Sequence, residues 1–137
     1  MLEKVVSFPA VSPREHAQRT VLVVEDEVII RMTVSDELRE YGFRIIEAHD
    51  AHEAIALLQS RVPVDLVFTD LRLPGSIDGL ALARLIRETR PDLKVILTSG
   101  DGAVGNSPAG IAVFLPKPYD PRQVARRIKG LLGDVQQ

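Results

Sequence analysis

The chain has 137 residues, 45% of them apolar and 26% charged, with a formal net charge of -2. That is the size of one domain with one core, and the balance excludes a disordered chain and an obvious electrostatic binder of nucleic acid or acidic membranes. Zero cysteines exclude disulfides, thiolate metal sites, cysteine nucleophiles and iron–sulfur chemistry, and fit a reducing cytoplasm.

Aromatics make up 4% and Trp is absent, so the core must come from Val, Ile, Leu and Ala. That is the composition of a sheet buried on both faces. No stretch approaches the roughly 18 uninterrupted apolar residues of a transmembrane helix. The N-terminus, MLEKVVSFPAVSPREHAQR, lacks a basic region leading into a long apolar stretch and is broken by Pro9 and Pro13. It reads as a loose arm over residues 1–19, not a secretory signal.

From Thr20 onward, short β-branched runs alternate with helical periodicity. TVLVV (20–24) predicts the first strand. Ile30, Val34, Leu38 and Tyr41 recur at helical spacing, and Gly42 stands where a helix C-terminus wants a left-handed residue. FRIIEA (43–48) predicts a second strand, followed by a helical face of Ala51, Ala54, Ile55 and Leu58 that Pro63 stops. VDLVFT (64–69) predicts a third strand in mid-sheet. Asp78 is placed to cap a helix carrying Leu80, Ala83 and Ile86 or the stem of Arg87, ending before Pro91. LKVILTS (93–99) and IAVFLP (111–116) predict strands four and five, and Val124, Ile128, Leu131 and Leu132 a final helix. The expected fold is therefore α/β, a flavodoxin-like doubly wound five-stranded parallel sheet in the order 2-1-3-4-5, spanning 20–133 and followed by a tail, 134–137.

In such a sheet, ligands sit beyond the carboxyl ends of the strands where the strand order reverses, here between strands one and three. Glu25-Asp26-Glu27 follows strand one, Asp70 follows strand three, Thr98 and Ser99 end strand four, and Lys117 follows strand five. Strands one and three are neighbours in this order, so Glu25, Asp26 and Asp70 converge. Crowded carboxylates raise each other's pKa unless a cation neutralises them, and a hard divalent ion such as Mg²⁺ (or Mn²⁺) suits one or two carboxylates. A carboxylate flanked by Mg²⁺, a lysine and a hydroxyl has what phosphoryl transfer requires, an aspartyl-phosphate site in outline.

These residues resemble the receiver domain of two-component response regulators, the CheY-like superfamily. The matching pieces are VLVVEDE (21–27), VFTDLRLPGSIDGL (67–80), VILTSG (95–100) and FLPKPY (114–119), in order, from about Thr20 to Leu132. The resemblance implies that Asp70 accepts the phosphoryl group, and that Asp26 directly, Glu25 mostly through water and the backbone carbonyl of Arg72 contact Mg²⁺. It implies that Ser99 is the hydroxyl that follows the phosphoryl group, Lys117 the lysine that pairs with it, and Phe114 the switch aromatic. It also implies that the Lys117-Pro118 bond is cis, the isomer accessible to X-Pro bonds. The readout surface would lie on strands four and five and the last helix, with a phosphoaspartate shifting Ser99 and Phe114. The implied partners are a sensor histidine kinase or a histidine phosphotransfer protein and a downstream protein, with no direct DNA binding and no membrane contact.

Two departures from the family pattern stand out. Asp70 to Asp78 spans eight positions where many receivers have seven. From Ser99 to Lys117, GDGAVGNSPAG holds four glycines and a proline. At roughly 1 kcal/mol per helical Gly and about 3 for Pro, the fourth helix usual in receivers is expected to be shortened or absent. This resembles stand-alone receivers frequent beside HWE or HisKA_2 type sensor kinases.

Blander readings compete at each position. Asp70 alone reads as a solvated loop acid, the Glu25–Glu27 run as a helix N-terminal cluster, Lys117 as a surface lysine and Ser99 as a strand-end hydroxyl. Only the constellation outweighs them. Gly100 to Gly105 spells Gly-x-Gly-x-x-Gly, but Ser107-Pro108-Ala109-Gly110 cannot open a helix cleanly, and the fingerprint belongs after the first strand. Arg122, Arg126, Arg127 and Lys129 read as a solvated helix face, and His16, His49 and His52 lack zinc-site spacing. The leading function is a single-domain response regulator that accepts phosphate from phosphohistidine and is not a turnover enzyme. The alternatives are a haloacid-dehalogenase-like phosphatase, for which Glu25 stands where that family wants Asp, a flavodoxin-like protein without its phosphate loop, and a phosphate-independent receiver-like module.

Overall fold

The computed structural model describes residues 18–100 and 111–133. In chain order the elements are β1 (Thr20–Val24), α1 (Val28–Glu40), β2 (Arg44–Ala48), α2 (Ala51–Gln59), β3 (Leu66–Asp70), α3 (Gly79–Thr89), β4 (Lys94–Ser99), β5 (Val113–Pro116) and α4 (Pro121–Leu132). The five strands form one parallel sheet in the order β2-β1-β3-β4-β5, as the alternation of strands and helices implies. The expected loss of a helix between β4 and β5 falls on 101–110, the arm largely on 1–17 and the tail on 134–137. These lie outside the described residues.

Helices cover both faces because strand side chains alternate. Val21 and Val23 of β1, Phe68 of β3 and Ile96 of β4 pack on one side with Val34 and Leu38 of α1 and Val124 and Ile128 of α4. Leu22, Val24, Val67 and Leu97 point the other way, onto Ala54 of α2 and Leu82, Ala83 and Ile86 of α3. Every residue of β1 and β3 is buried, which suits the apolar runs Val21–Val24 and Leu66–Phe68. The edge strands β2 and β5 are partly exposed.

Helix ends follow their residues. The carboxylates of Asp50, Asp78 and Asp120 each accept a first-turn N–H, from Glu53 at 2.8 Å, Ala81 at 2.8 Å and Arg122 at 2.9 Å. Helix α1 ends in a Schellman turn. The N–H of Gly42, at φ 97°, donates to the Arg39 carbonyl at 2.9 Å and that of Phe43 to Leu38 at 3.2 Å, while Leu38 and Phe43 share one cluster. Strand bounds shift by one or two residues from expectation: β2 starts at Arg44, β3 runs Leu66–Asp70, β4 starts at Lys94 and β5 at Val113. Helix α2 stops at Gln59, before Pro63, because the Ser60 hydroxyl and N–H both turn back to the Leu57 carbonyl. Strand β3 starts at Leu66, not Val64, because the Asp65 side chain is engaged by the N–H of Thr20 at 2.8 Å.

The same substitution at two glycines is expected to act with opposite signs in urea unfolding. Gly42→Ala forces a Cβ into positive φ and destabilises by about 1 kcal/mol, although no atom blocks it. Gly130→Ala, on the exposed side of α4 with equally open space, stabilises by roughly 0.5–1 kcal/mol.

Candidate functional site

The register of β1 on β3, Val24 opposite Thr69, delivers the next residues of both strands to one place. Asp70, the last residue of β3, is 7% exposed. Its Oδ1 accepts the Arg72 N–H at 3.1 Å, and its Oδ2 accepts Lys117 Nζ at 2.9 Å. Glu25 is 2% exposed, whereas Asp26 faces solvent. One carboxylate oxygen from each of Glu25, Asp26 and Asp70 lies within 4.8 Å of the other two.

Lys117 reaches Asp70 from β5, across the end of β4. Its own N–H donates to the Ser99 carbonyl at 2.9 Å, and the following bond to Pro118 is cis, as the resemblance implies. Ser99 ends β4 and is buried. Arg72 is exposed in the β3–α3 loop and, with Asp26, Asp70, Pro74, Gly100 and Lys117, lines an open cleft of ≈ 530 Å³. Phe114 pairs with Leu97 in the sheet and is half-buried against the core on the α2 and α3 side. The sheet thus gathers Glu25, Asp26, Asp70 and Lys117 tightly, with Ser99 on the adjoining strand end. Phe114 lies two residues back along β5. The Gly-x-Gly-x-x-Gly run falls mainly on residues outside those described.

Burial dominates the electrostatics. It pushes the Glu25 carboxyl up to about 7, helped by repulsion from Asp70 and Asp26 and opposed by the Glu27 N–H, at 3.0 Å from Oε2, and by Lys117. The other oxygen, Oε1, is buried and has no hydrogen-bond partner among the described residues. Burial also pulls the Lys117 ammonium down, but its hydrogen bond to Asp70 and attraction to Asp70, Glu25 and Glu27 outweigh that and hold it above its ordinary value. The Tyr119 phenol is raised by burial and by the charges of Glu25 and Asp70. Its ring packs edge-on against Phe68 at 5.7 Å, and its buried hydroxyl has no partner among the described residues.

Two residues of the site escaped sequence reasoning. Gly79 opens α3 so close to β3 that a Cβ there would stand 2.0 Å from the Asp70 carbonyl oxygen. The signal available in the sequence was a glycine directly after the capping Asp78. Tyr119 ends the run FLPKPY, and the proximity of its phenol to the acids shows only in three dimensions.

A CheY-like fold with an acidic cluster and a lysine at the carboxyl ends of its strands defines a class, and the comparisons agree with it. Residues 21–129 match the family model of the response regulator receiver domain, and the chain belongs to that family, the receivers of two-component systems. It is 38% identical over 118 residues to the sensor kinase CckA of Brucella abortus, a stretch covering 82% of this chain and 12% of that protein. The chain spans about half the length of the transcriptional regulators it also matches. Among solved structures, the receiver domain of NtrX from Brucella abortus superposes with a TM-score of 0.73 at 37% identity, covering 82% of this chain and 97% of that one. The response regulator TrrA from Thermotoga maritima in complex with Mg(2+)-BeF gives 0.76 at 31% identity, covering 84% and 100%.

The Glu25 shift sets a pH dependence in metal-free protein. Below pH 4.5 the folded and unfolded chains both hold this proton; above it the unfolded chain releases it first, so stability falls as pH rises and the loss is complete above about 7. Unfolding in EDTA is expected to show Glu25→Gln gaining on the wild type by of order 2 kcal/mol between pH 4.5 and 8. A constant difference would contradict the shift.

Proposed function

We propose that this receiver accepts a phosphoryl group on Asp70 from a phosphohistidine of a sensor histidine kinase or histidine phosphotransfer protein, with Mg²⁺ (or Mn²⁺) bound beside it. The observation that carries this reading is the 2.9 Å contact of Lys117 Nζ with an Asp70 carboxylate that two further acids surround. Three crowded carboxylates need more positive charge than one lysine supplies, and their oxygens are the donors a hard divalent cation takes. Glu25 Oε1, which has no hydrogen-bond partner among the described residues, fits the same need. Glu25, Asp26, Asp70 and the Arg72 carbonyl would hold the cation, which when bound neutralises charge on the phosphoryl oxygens.

In the transfer, an Asp70 carboxylate oxygen forms the new P–O bond as the P–N bond to the donor imidazole breaks, and the released nitrogen takes up a proton. Arg72 N–H and Lys117 already hold the two carboxylate oxygens, so the nucleophile is oriented before the donor arrives. Lys117 then pairs with the phosphoryl group, Ser99 moves toward it, and Phe114 turns inward. The changed surface is read by a downstream protein. We take residues 20–133 as the receiver unit of a cytoplasmic regulator.

The partner reading has its own support. Val28, Ile29 and Met32 expose 54%, 73% and 48% of their surface on α1, beside the acids. Ile29 and Ile30 line an adjoining groove with Lys117, Pro118 and Tyr119. Apolar surface at the mouth of a phosphoryl-accepting site suits a docking helix of the donor. The basic residues of α4 are partly spoken for, Arg122 by Asp120 at 3.2 Å and Lys129 by the Tyr41 ring at 5.6 Å, which favours a solvated face over DNA contact.

Incubation with Mg²⁺ and acetyl phosphate is expected to add one phosphoryl group to the wild type and none to Asp70→Asn, read by intact mass. Lys117→Ala should slow the gain by on the order of 10²-fold, the effect of removing one charge-stabilising donor. Equal labelling of wild type and Asp70→Asn would refute the assignment. For docking, Ile29→Asp should slow transfer from a phosphohistidine protein roughly tenfold while acetyl phosphate labels it at the wild-type rate. Equal slowing with both donors would argue against a docking role.

A further inference from the structure

The turn between β1 and α1 is held on one side by the Glu27 N–H, which donates to Glu25 Oε2 at 3.0 Å, but among the described residues no N-cap side chain closes it. Glu27, the N-cap of α1, makes no side-chain cap hydrogen bond, and the helix begins with the Arg31 N–H bonded to the Glu27 carbonyl at 2.9 Å. Yet this turn must aim both Glu25 and Asp26. The Arg31 side chain, only 17% exposed, folds back over it. Its Nη1 donates to the main-chain carbonyl of Glu25 at 2.7 Å, and its Nε donates to Glu47 Oε1 on β2 at 3.0 Å. The Glu25 N–H is bonded in turn to the carbonyl of Ala48, the residue after Glu47, at 3.0 Å. Both polar groups of the Glu25 main chain are therefore tied to the end of β2, one directly and one through Arg31.

We propose that Arg31 is a positioning residue of the divalent-cation site: it fixes the peptide plane between Glu25 and Asp26, and Glu47 neutralises it so that the brace adds no net positive charge. This rests on the cation reading above. The Glu25 carbonyl belongs to the rigid peptide unit that leads into Asp26, so holding that oxygen constrains Glu25 ψ and Asp26 φ, the backbone angles from which both side chains project. A guanidinium suits the task because its planar fork offers two donors in fixed geometry, one for the carbonyl and one for Glu47. Left unpaired beside the acids, the same charge would repel a divalent cation. Arg39 provides an internal control. It reaches the other Glu47 oxygen at 3.3 Å, but the described contacts give it no bond to Glu25.

The test measures Mn²⁺ binding to the full chain from the electron paramagnetic resonance signal of free Mn²⁺. Arg31→Ala is expected to weaken binding roughly tenfold or more, in line with the loss of groups that orient metal ligands. Glu47→Gln should weaken it less, and Arg31→Lys should recover part of the loss. Arg39→Ala, which removes an ion pair on the same glutamate, should bind as the wild type does. Phosphorylation of Arg31→Ala by acetyl phosphate should be restored by saturating Mn²⁺, a defect in cation affinity and not in the transfer step. If circular dichroism finds Arg31→Ala unfolded, Arg31→Lys and Glu47→Gln carry the comparison.

Wild-type affinity in the folded Arg31 variants, or an equal loss in Arg39→Ala, overturns the proposal. Asp26→Asn separates the two readings. If it binds Mn²⁺ as the wild type does, the cation site itself is misplaced and the role of Arg31 falls with it. If Asp26→Asn loses binding while the Arg31 variants keep it, only the positioning role is refuted.

Discussion

Three carboxylates held within 4.8 Å of one another at the ends of two neighbouring strands are the constraint around which the molecule is arranged. Their proximity is set by sheet register, since Val24 opposite Thr69 leaves Glu25 and Asp70 side by side whatever the loops do. Repulsion at that distance is offset by fixed partners: Lys117 on one Asp70 oxygen, the Arg72 N–H on the other, and the Glu27 N–H on Glu25. Burial still leaves Glu25 poised near neutrality, so the cluster favours an added positive charge.

Lys117 serves this balance because of where its strand lies. Strand β5 is two places from β3, a separation of roughly 10 Å in a sheet, so the cation must be carried on a long stem across the end of β4. Its main chain is secured at Ser99, and Gly100 lies beneath the stem, where a Cβ would come 3.8 Å from the Lys117 Cβ and Cδ. On the other flank, Gly79 lets α3 close onto the Asp70 backbone, and the Gly79 N–H donates to the Leu71 carbonyl at 2.8 Å. Asp70 is thus gripped through main chain and side chain alike. Such pre-orientation suits a group that acts as a nucleophile.

Much of this was legible in the residues. Apolar runs five to seven residues long, split by helical spacing, identify the strands, and Gly42 and Asp78 mark helix ends that the structure realises as a Schellman turn and an N-cap. Acids after the first and third runs and a lysine after the fifth were enough to point at the site. Boundaries were less legible where a side chain answered a distant backbone group, as Asp65 does for Thr20 and thereby shortens β3. Arg31 and Glu47 carry no signal in the sequence, because the bonds of Arg31 reach 6 and 16 residues along the chain.

The amino-acid sequence by itself determined the order of elements, the two-faced burial of the sheet and the presence of acids, hydroxyl and lysine at the strand ends. These follow from periodicity and from strand order, which are local or combinatorial properties. Only the tertiary structure decided which oxygen Lys117 meets, how far burial lifts Glu25, how near Gly79 stands to Asp70 and what braces the Glu25 peptide. Each of those depends on ångström distances and on exclusion of water between segments far apart in sequence, quantities that exist only once the chain has packed.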